Sequence, residues 1–262
     1  MDKQPSIAIL GAGGGLGRAL ARRLTQDGAR LFLGGRNETA LATLAQEIEA
    51  EHFVVDGTDF SRVDEFLDRA SAEGGLDGAV NCAGSLLLKP AHRTSFEEYQ
   101  ATIGANLTTA FALVRAATRV MSRGGGAIVL VSSAAADIGL QNHEAIAAAK
   151  AGVAALARTA AASYAARNIR INAIAPGMVE SPLTAGLLSS EASKQASLAL
   201  HAVPRAGQPE ELASLIAWLL GNEATWVTGQ TWGIDGGLGS IKLRPVTKLR
   251  SSASRVKDEP AS

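Results

Sequence analysis

Two short stretches carry the residue types and spacings that could do chemistry: "GAGGGLG", from Gly11 to Gly17, and "HEAIAAAK", from His143 to Lys150. In the first, Gly11, Gly15 and Gly17 follow a GxxxGxG spacing, and Leu16 falls where a GxGxxG loop would carry its third glycine. Glycines so placed let a turn tighten, bring backbone close to a pyrophosphate and pack a helix hard on its strand. A helix beginning there offers free N–H groups to phosphate. The competing reading is a tight strand-to-helix turn with no ligand.

The next apolar run ends "LFLGGRN", with Arg36 and no acid. An acid at that place holds a ribose 2′-hydroxyl, whereas an arginine accommodates a 2′-phosphate. Arg36 therefore points to NADP(H) in preference to NAD(H), unless it is simply a solvated charge at the start of a helix. In the second stretch, His143 and Lys150 are seven residues apart. On a helix that is about two turns, or about 10 Å along one face. Histidine titrates near neutral pH and can supply a proton; the alternative is a histidine standing in water at a helix start. Glu144 is a weaker candidate for the same role: it lies about 100° around the helix from His143, where a first-turn carboxylate is expected simply to complement the helix dipole.

Positioning these groups is the work of an alternating pattern of strands and helices. Ser6–Leu10, Arg30–Gly34, His52–Val55, Leu76–Asn81, Ala127–Ser132 and Ile169–Ile174 are short apolar runs bounded by Gly, Asp or Asn, as buried parallel strands are. Leu41, Leu44, Ala45 and Ile48 keep helical spacing, as do Leu212, Leu215, Ile216 and Leu219 after Pro209. Ser95 and Glu98 have the spacing of a capping box opening a long helix. The pattern is that of βαβ units: a single-domain, doubly wound α/β Rossmann fold over residues 1–240, with a central parallel sheet flanked by helices. From Ile241 the chain turns basic and Ser-rich, and residues 241–262 read as a flexible tail.

Composition bounds the function. With 262 residues, 47% hydrophobic content and a formal net charge of +0, the chain can bury one full core. The neutral balance argues against nucleic acid as a partner. No run of about 18 apolar residues escapes a charge or polar break, and the first residues lack a signal-peptide layout. The expectation is a cytoplasmic protein without a membrane partner. Cys82 is the only cysteine, and His52, His92, His143 and His201 are scattered, so no catalytic metal is expected.

Taken in order, the landmarks resemble the short-chain dehydrogenase/reductase family over residues 6 to about 240. "GAGGGLG" resembles its TGxxxGxG loop with Leu10 in the threonine's place; "VDGTD" supplies Asp56, where the family binds adenine. "NCAG" resembles NNAG, with Cys82 for the second asparagine, and "ANLTTAF" places Asn106 at the family's helix asparagine. "VLVSSAAA" offers Ser133 as the catalytic serine, "IRINAIAPGMVESP" resembles the strand leading to a Pro-Gly corner, and "VTGQTWGIDGGL" resembles the C-terminal strand. The resemblance implies a nicotinamide-dependent oxidoreductase, a homodimer or homotetramer, acting on a small molecule. It makes Gly11, Gly15, Leu16, Gly17, Arg36, Asp56, Asn81, Ala83, Gly84, Lys150, Pro176 and Gly177 the cofactor-binding candidates. Catalysis would fall to Ser133, Lys150 and Asn106, and a lid of about residues 182–204 would cover a moderately apolar substrate.

The family's proton donor is the tyrosine of YxxxK, thirteen positions after the serine. Thirteen from Ser133 is Ile146, four before Lys150, and neither Ala145 nor Ala147 is a tyrosine. Tyr164 lies far down the same segment and reads as helix packing. A general acid is worth about 10² to 10⁴ in rate, roughly 3 to 5 kcal/mol, so an ordinary ketone reductase would be crippled without one. Two accounts stand. Either His143 replaces the tyrosine as acid or substrate-binding donor, with Ser133 polarising the substrate oxygen, or the chain is a catalytically silent nucleotide sensor or oligomer partner. In the first, the substrate is a small carbonyl, conjugated alkene or imine-like compound. Lys89 and His92, after the fourth strand, are candidates for substrate contact or for surface solvation, and Cys82 is expected beside the nicotinamide as a small apolar residue.

Overall fold

A computed structural model describes residues 4–121 and 124–242. Its strands are β1 (Ser6–Leu10), β2 (Arg30–Gly35), β3 (Glu51–Val54), β4 (Gly78–Asn81), β5 (Gly126–Val131), β6 (Ile169–Pro176) and β7 (Thr231–Ile234). They make one parallel sheet in the order β3-β2-β1-β4-β5-β6-β7. The α-helices are α1 (Gly15–Gln26), α2 (Glu38–Ile48), α3 (Phe60–Ser71), α4 (Phe96–Ile103), α5 (Thr109–Val120), α6 (Glu144–Tyr164), α7 (Ala185–Leu188), α8 (Glu191–Leu198) and α9 (Pro209–Leu220).

Alternation along β1 explains the two layers. Ala8 and Leu10 join Val63, Phe66, Leu113 and Val153 in a core under α3, α5 and α6. Ile7 and Ile9 point the other way, into a core with Leu20, Leu41, Leu44 and Ile216 under α1, α2 and α9. Period-2 side-chain geometry thus feeds both faces from one strand. Each large aliphatic or aromatic group so buried is worth about 1.5–3 kcal/mol. Strand order reverses between β2-β1 and β4-β5, so Leu10 registers against both Gly34 and Asn81 and a crevice opens beyond the strand ends.

Most of the expected elements form, with shifted ends. β2 runs one residue further and β6 two; β3 begins and ends one residue earlier than expected. Leu76 is buried ahead of β4 rather than in it. The long helix after Ser95 has its capping box, with Ser95 Oγ accepting from Glu98 N–H and the Glu98 carboxylate accepting from Ser95 N–H. It is interrupted by a wide π turn at Gly104–Thr108, where Asn106 donates to Thr102 O and Thr109 Oγ to Ala105 O. The α6 helix does not include His143. Asn142 turns at φ +64 and the helix begins at Glu144, so His143 is its N-cap. Among the described residues one helical segment, Glu144–Arg167, is long and apolar enough to cross a membrane. Its Ala149, Val153 and Ala157 are buried, the latter two in the core beneath it, as a core helix requires. The expected tail lies outside the described residues apart from Ile241 and Lys242.

Candidate active site

The crevice begins where β1 hands over to α1. Gly11 sits at φ +85, and a Cβ there would lie 2.4 Å from Ala83 N. A Cβ on Gly17 would lie 2.4 Å from the Gly11 carbonyl oxygen. Glycine is therefore required at both: the first for the turn, the second to let α1 start against it. Among the described residues no side chain caps the first turn of α1, whose N-cap is Gly14, and its N–H groups face an anion site. Gly11, Arg36, Asp56, Ala83 and Gly84 line an open cleft of about 930 Å³. This cradle, closed to any added Cβ and ending on a bare helix N-terminus, fits a dinucleotide pyrophosphate.

Leu16, Gly15, Asn81, Pro176 and Gly177 stand around the cleft rather than among the side chains of its wall. Leu16 packs toward the core under α1. Gly15 is where the segment after β6 comes over the loop, since a Cβ would meet Pro182 and Ser181 at 3.2 Å. Asn81 is buried, donating to Thr109 Oγ and accepting from Ala83 N–H, so it holds the turn that carries Ala83 and Gly84. Asp56 Oδ1 accepts from Thr58 N–H and Thr58 Oγ–H; these bonds, with a smaller contribution from Arg36, hold its carboxyl below the usual range. The Arg36 side chain is exposed at the end of β2, beside Asn37, which caps α2 through Ala40 N–H. Pro176 closes β6, and Gly177 follows against Asp235 and His201.

At the far end, Lys150 is 8% exposed and its Nζ donates to Val131 O at 2.7 Å. Burial lowers its pKa to about 8, opposed by the Cys82 thiol. That thiol is half-buried on the cleft wall, and desolvation pushes it up to about 12, so Cys82 is a neutral, small group. Ser132, unremarked in the sequence beside Ser133, donates its hydroxyl to Lys150 O at 2.8 Å and ties α6 to the end of β5. A Cβ on Gly84 would stand 3.0 Å from Asn106 Oδ1 and 3.6 Å from Lys150 Nζ, so the three converge. The Asn106 amide is fully engaged with Ser85 and Thr102, which makes it a brace across the π turn. Ser133 accepts from Ala135 N–H, which leaves its hydroxyl proton to donate elsewhere.

Ile146 is 4% exposed, one turn before Lys150 on α6. His143 is half-buried at the helix start, with Nδ1 2.7 Å from Gln141 O. A carbonyl can only accept, so in the neutral ring Nδ1 carries the proton and Nε2 the lone pair. Glu144 is exposed in the first turn. Lys89 is committed to Glu98 at 2.7 Å, and its N–H donates to Asn142 O, locking the loop after β4 to the loop before α6. His92 is exposed on a single 3₁₀ turn. Tyr164 packs against the core, with Arg167 over its ring.

The fold and the crevice at the strand-order reversal define an open α/β protein of the dinucleotide-binding class. The sequence profile described as enoyl-(acyl carrier protein) reductase matches residues 11–239. The chain is 38% identical over 240 residues to cis-4-hydroxycyclohexanecarboxylate dehydrogenase of Sinomonas cyclohexanicum, covering 89% of this chain and 96% of that one. It is 35% identical over 237 residues to 3-oxoacyl-(acyl-carrier-protein) reductase of Thermotoga maritima, covering 88% and 96%. A short-chain type dehydrogenase/reductase from Mycobacterium ulcerans superposes with a TM-score of 0.87 at 30% identity, covering 91% of each chain. A variant of actinorhodin polyketide ketoreductase solved with NADPH superposes with a TM-score of 0.86 at 28% identity, covering 92% of this chain and 100% of that one. The chain belongs to the short-chain dehydrogenase/reductase family, whose members bind a nicotinamide cofactor. It is an oxidoreductase of that family, and its kinship with named dehydrogenases and reductases speaks against a silent sensor.

Proposed function

We propose that this chain is an NADP(H)-dependent short-chain oxidoreductase whose proton donor is not a tyrosine. Its substrate is a small, moderately apolar carbonyl, conjugated alkene or imine-like compound. The observation that carries the reading is the convergence of Lys150 Nζ, Gly84 and Asn106 at the end of the cleft, with Ile146 buried on the same helix. A lysine amine enclosed at 8% exposure has little structural use, and here it is held beside the turn that lines the cleft.

The residues that would hold the cofactor are Gly11, Gly15, Leu16 and Gly17 at the pyrophosphate and Arg36 at the 2′-phosphate. Asp56 would hold the adenine, and Asn81, Ala83, Gly84, Lys150, Pro176 and Gly177 the nicotinamide half. NADPH, when bound, supplies the hydride. Lys150 remains cationic at neutral pH, below its value of about 8, and orients a ribose. Ser133 donates a hydrogen bond from its free hydroxyl to the substrate heteroatom and polarises it, keeping its own proton. His143, protonated on Nε2 while Nδ1–H stays on Gln141 O, delivers the proton that tyrosine would give. An acceptor already polarised asks less of that acid, which favours activated alkenes and imines over plain ketones. The printed names of the relatives, a cis-4-hydroxycyclohexanecarboxylate dehydrogenase and a 3-oxoacyl-(acyl-carrier-protein) reductase, support the carbonyl among these three classes.

Exposed aromatic side chains on α4 and α5, Phe96, Tyr99 and Phe111, support a homodimer or homotetramer, and the reading places the protein in the cytoplasm. The test follows NADPH absorbance against a panel of ketones, activated alkenes and imines. Turnover of an activated acceptor that falls by about 10²-fold or more in His143→Ala supports the assignment; undiminished turnover in that variant removes His143 from the mechanism.

A further inference from the structure

His201 stands where a lid residue would be expected to face solvent, yet it is 4% exposed. Its ring spans two separate segments. Nδ1 lies 2.9 Å from Ser197 O on α8, and Nε2 accepts Met178 N–H at 3.0 Å from the corner after β6. A carbonyl only accepts and an amide N–H only donates, so both partners are satisfied by one species: the neutral ring with its proton on Nδ1. Glycines make room for it, since a Cβ on Gly177 would lie 2.7 Å from Nε2 and a Cβ on Gly236 would lie 3.5 Å from Cδ2. A proton on Nε2 would point at the Met178 N–H with no space to turn away.

Among the described residues, the charged groups around the ring offer it no replacement partner. His201 shares a cavity of about 190 Å³ with Arg205, Glu211 and Asp235. Arg205 and Glu211 pair at 2.6 Å, and the Asp235 carboxylate is taken by Gly237 and Gly239 N–H groups. On α8, Glu191 accepts from Gln195, and Lys194 is the only other charge; Glu180, after β6, is exposed.

We infer that His201 is a positioning residue: its neutral ring latches the lid helix α8 to the Gly177–Met178 corner, and protonation releases the lid. The consequence for cofactor binding rests on the proposed role of Pro176 and Gly177 at the nicotinamide. The latch itself is independent of it.

The experiment is amide hydrogen exchange of the unliganded protein at about pH 7.5 and about pH 5.5, corrected for intrinsic rates and referenced to α5. NADPH affinity is measured in parallel. In the wild type, protection of α8 and Met178 falls about tenfold on acidification, as loss of one hydrogen bond predicts. His201→Gln, which can still accept from Met178 but does not titrate, shows no change with pH, and His201→Ala is unprotected at both. Wild-type protection that does not change, or an equal acid loss in His201→Gln, overturns the latch. If lid exchange follows His201 while NADPH fails to bind at either pH, the latch stands and the cofactor reading falls. NADPH binding with a pH-insensitive lid does the reverse.

Discussion

At the glycine-loop end of the cleft, shape is enforced by backbone contacts that exclude a single added carbon; at the Lys150 end, it depends on which side chain occupies one helical position. A Cβ on Gly11 would meet Ala83 N at 2.4 Å, whereas position 146 accommodates isoleucine with no disturbance of α6 or of Lys150. The first end can change little and still fold. The second can exchange its chemistry while keeping its architecture, because Lys150, Asn106 and Ser133 are each anchored by bonds that do not pass through residue 146.

The comparison breaks most readily at Gly11. Gly11→Ala puts a β-carbon into Ala83 at a φ of +85, and is expected to cost about 3 kcal/mol or more and to abolish dinucleotide binding. Chemical denaturation and a binding titration check it; a variant as stable as the wild type would mean that the turn is less tight than described. Ile146→Tyr works in the opposite direction, restoring a donor to an intact frame. Ketone reduction should rise by about 10²-fold or more, and no gain with any carbonyl would show a pocket remodelled beyond that residue. Arg36→Ala is expected to weaken NADPH roughly 10- to 100-fold with little change for NADH, the value of one charge-assisted contact. Equal losses for both would make Arg36 a structural charge.

Lys150 gives the smallest effect, read as a pH slope. Its ordinary value of 10.5 is lowered to about 8 by burial, so between these values the folded chain holds fewer protons than the unfolded one. Stability contributed by this group therefore rises with pH across that window, and the cost of burying the cation is complete below it. Cys82, raised from 9.0 to about 12, acts with the opposite sign above about 9. The comparison with Lys150→Met isolates the lysine: the slope should differ between the two chains, and identical slopes would contradict the assignment.

How far the sequence could be read divides along the same line. Apolar runs and the glycine spacing located six of the strands to within two residues at most ends, because burial on both faces and steric closeness leave marks in residue type. The capping box was legible for the same reason, being a local pair of bonds. The π turn was not, since it is set by Asn106 reaching Ser85, twenty-one residues away. Nor was the role of Ser132, adjacent to the more conspicuous Ser133, or the start of α6 at Glu144, which depends on Asn142 adopting φ +64. Lys89 read as a possible substrate contact; its engagement with Glu98 depends on the loop after β4 folding onto α4. His201 gave no signal at all, because its partners lie on two segments that only the fold brings together.

The most direct test of the central claim is a fluorescence titration of the purified chain with NADPH and with NADH, since it requires no knowledge of the substrate. Saturable binding of NADPH, with NADH weaker by about tenfold or more, is the predicted result. Binding of neither would contradict an NADP(H)-dependent oxidoreductase, whatever the glycine loop resembles.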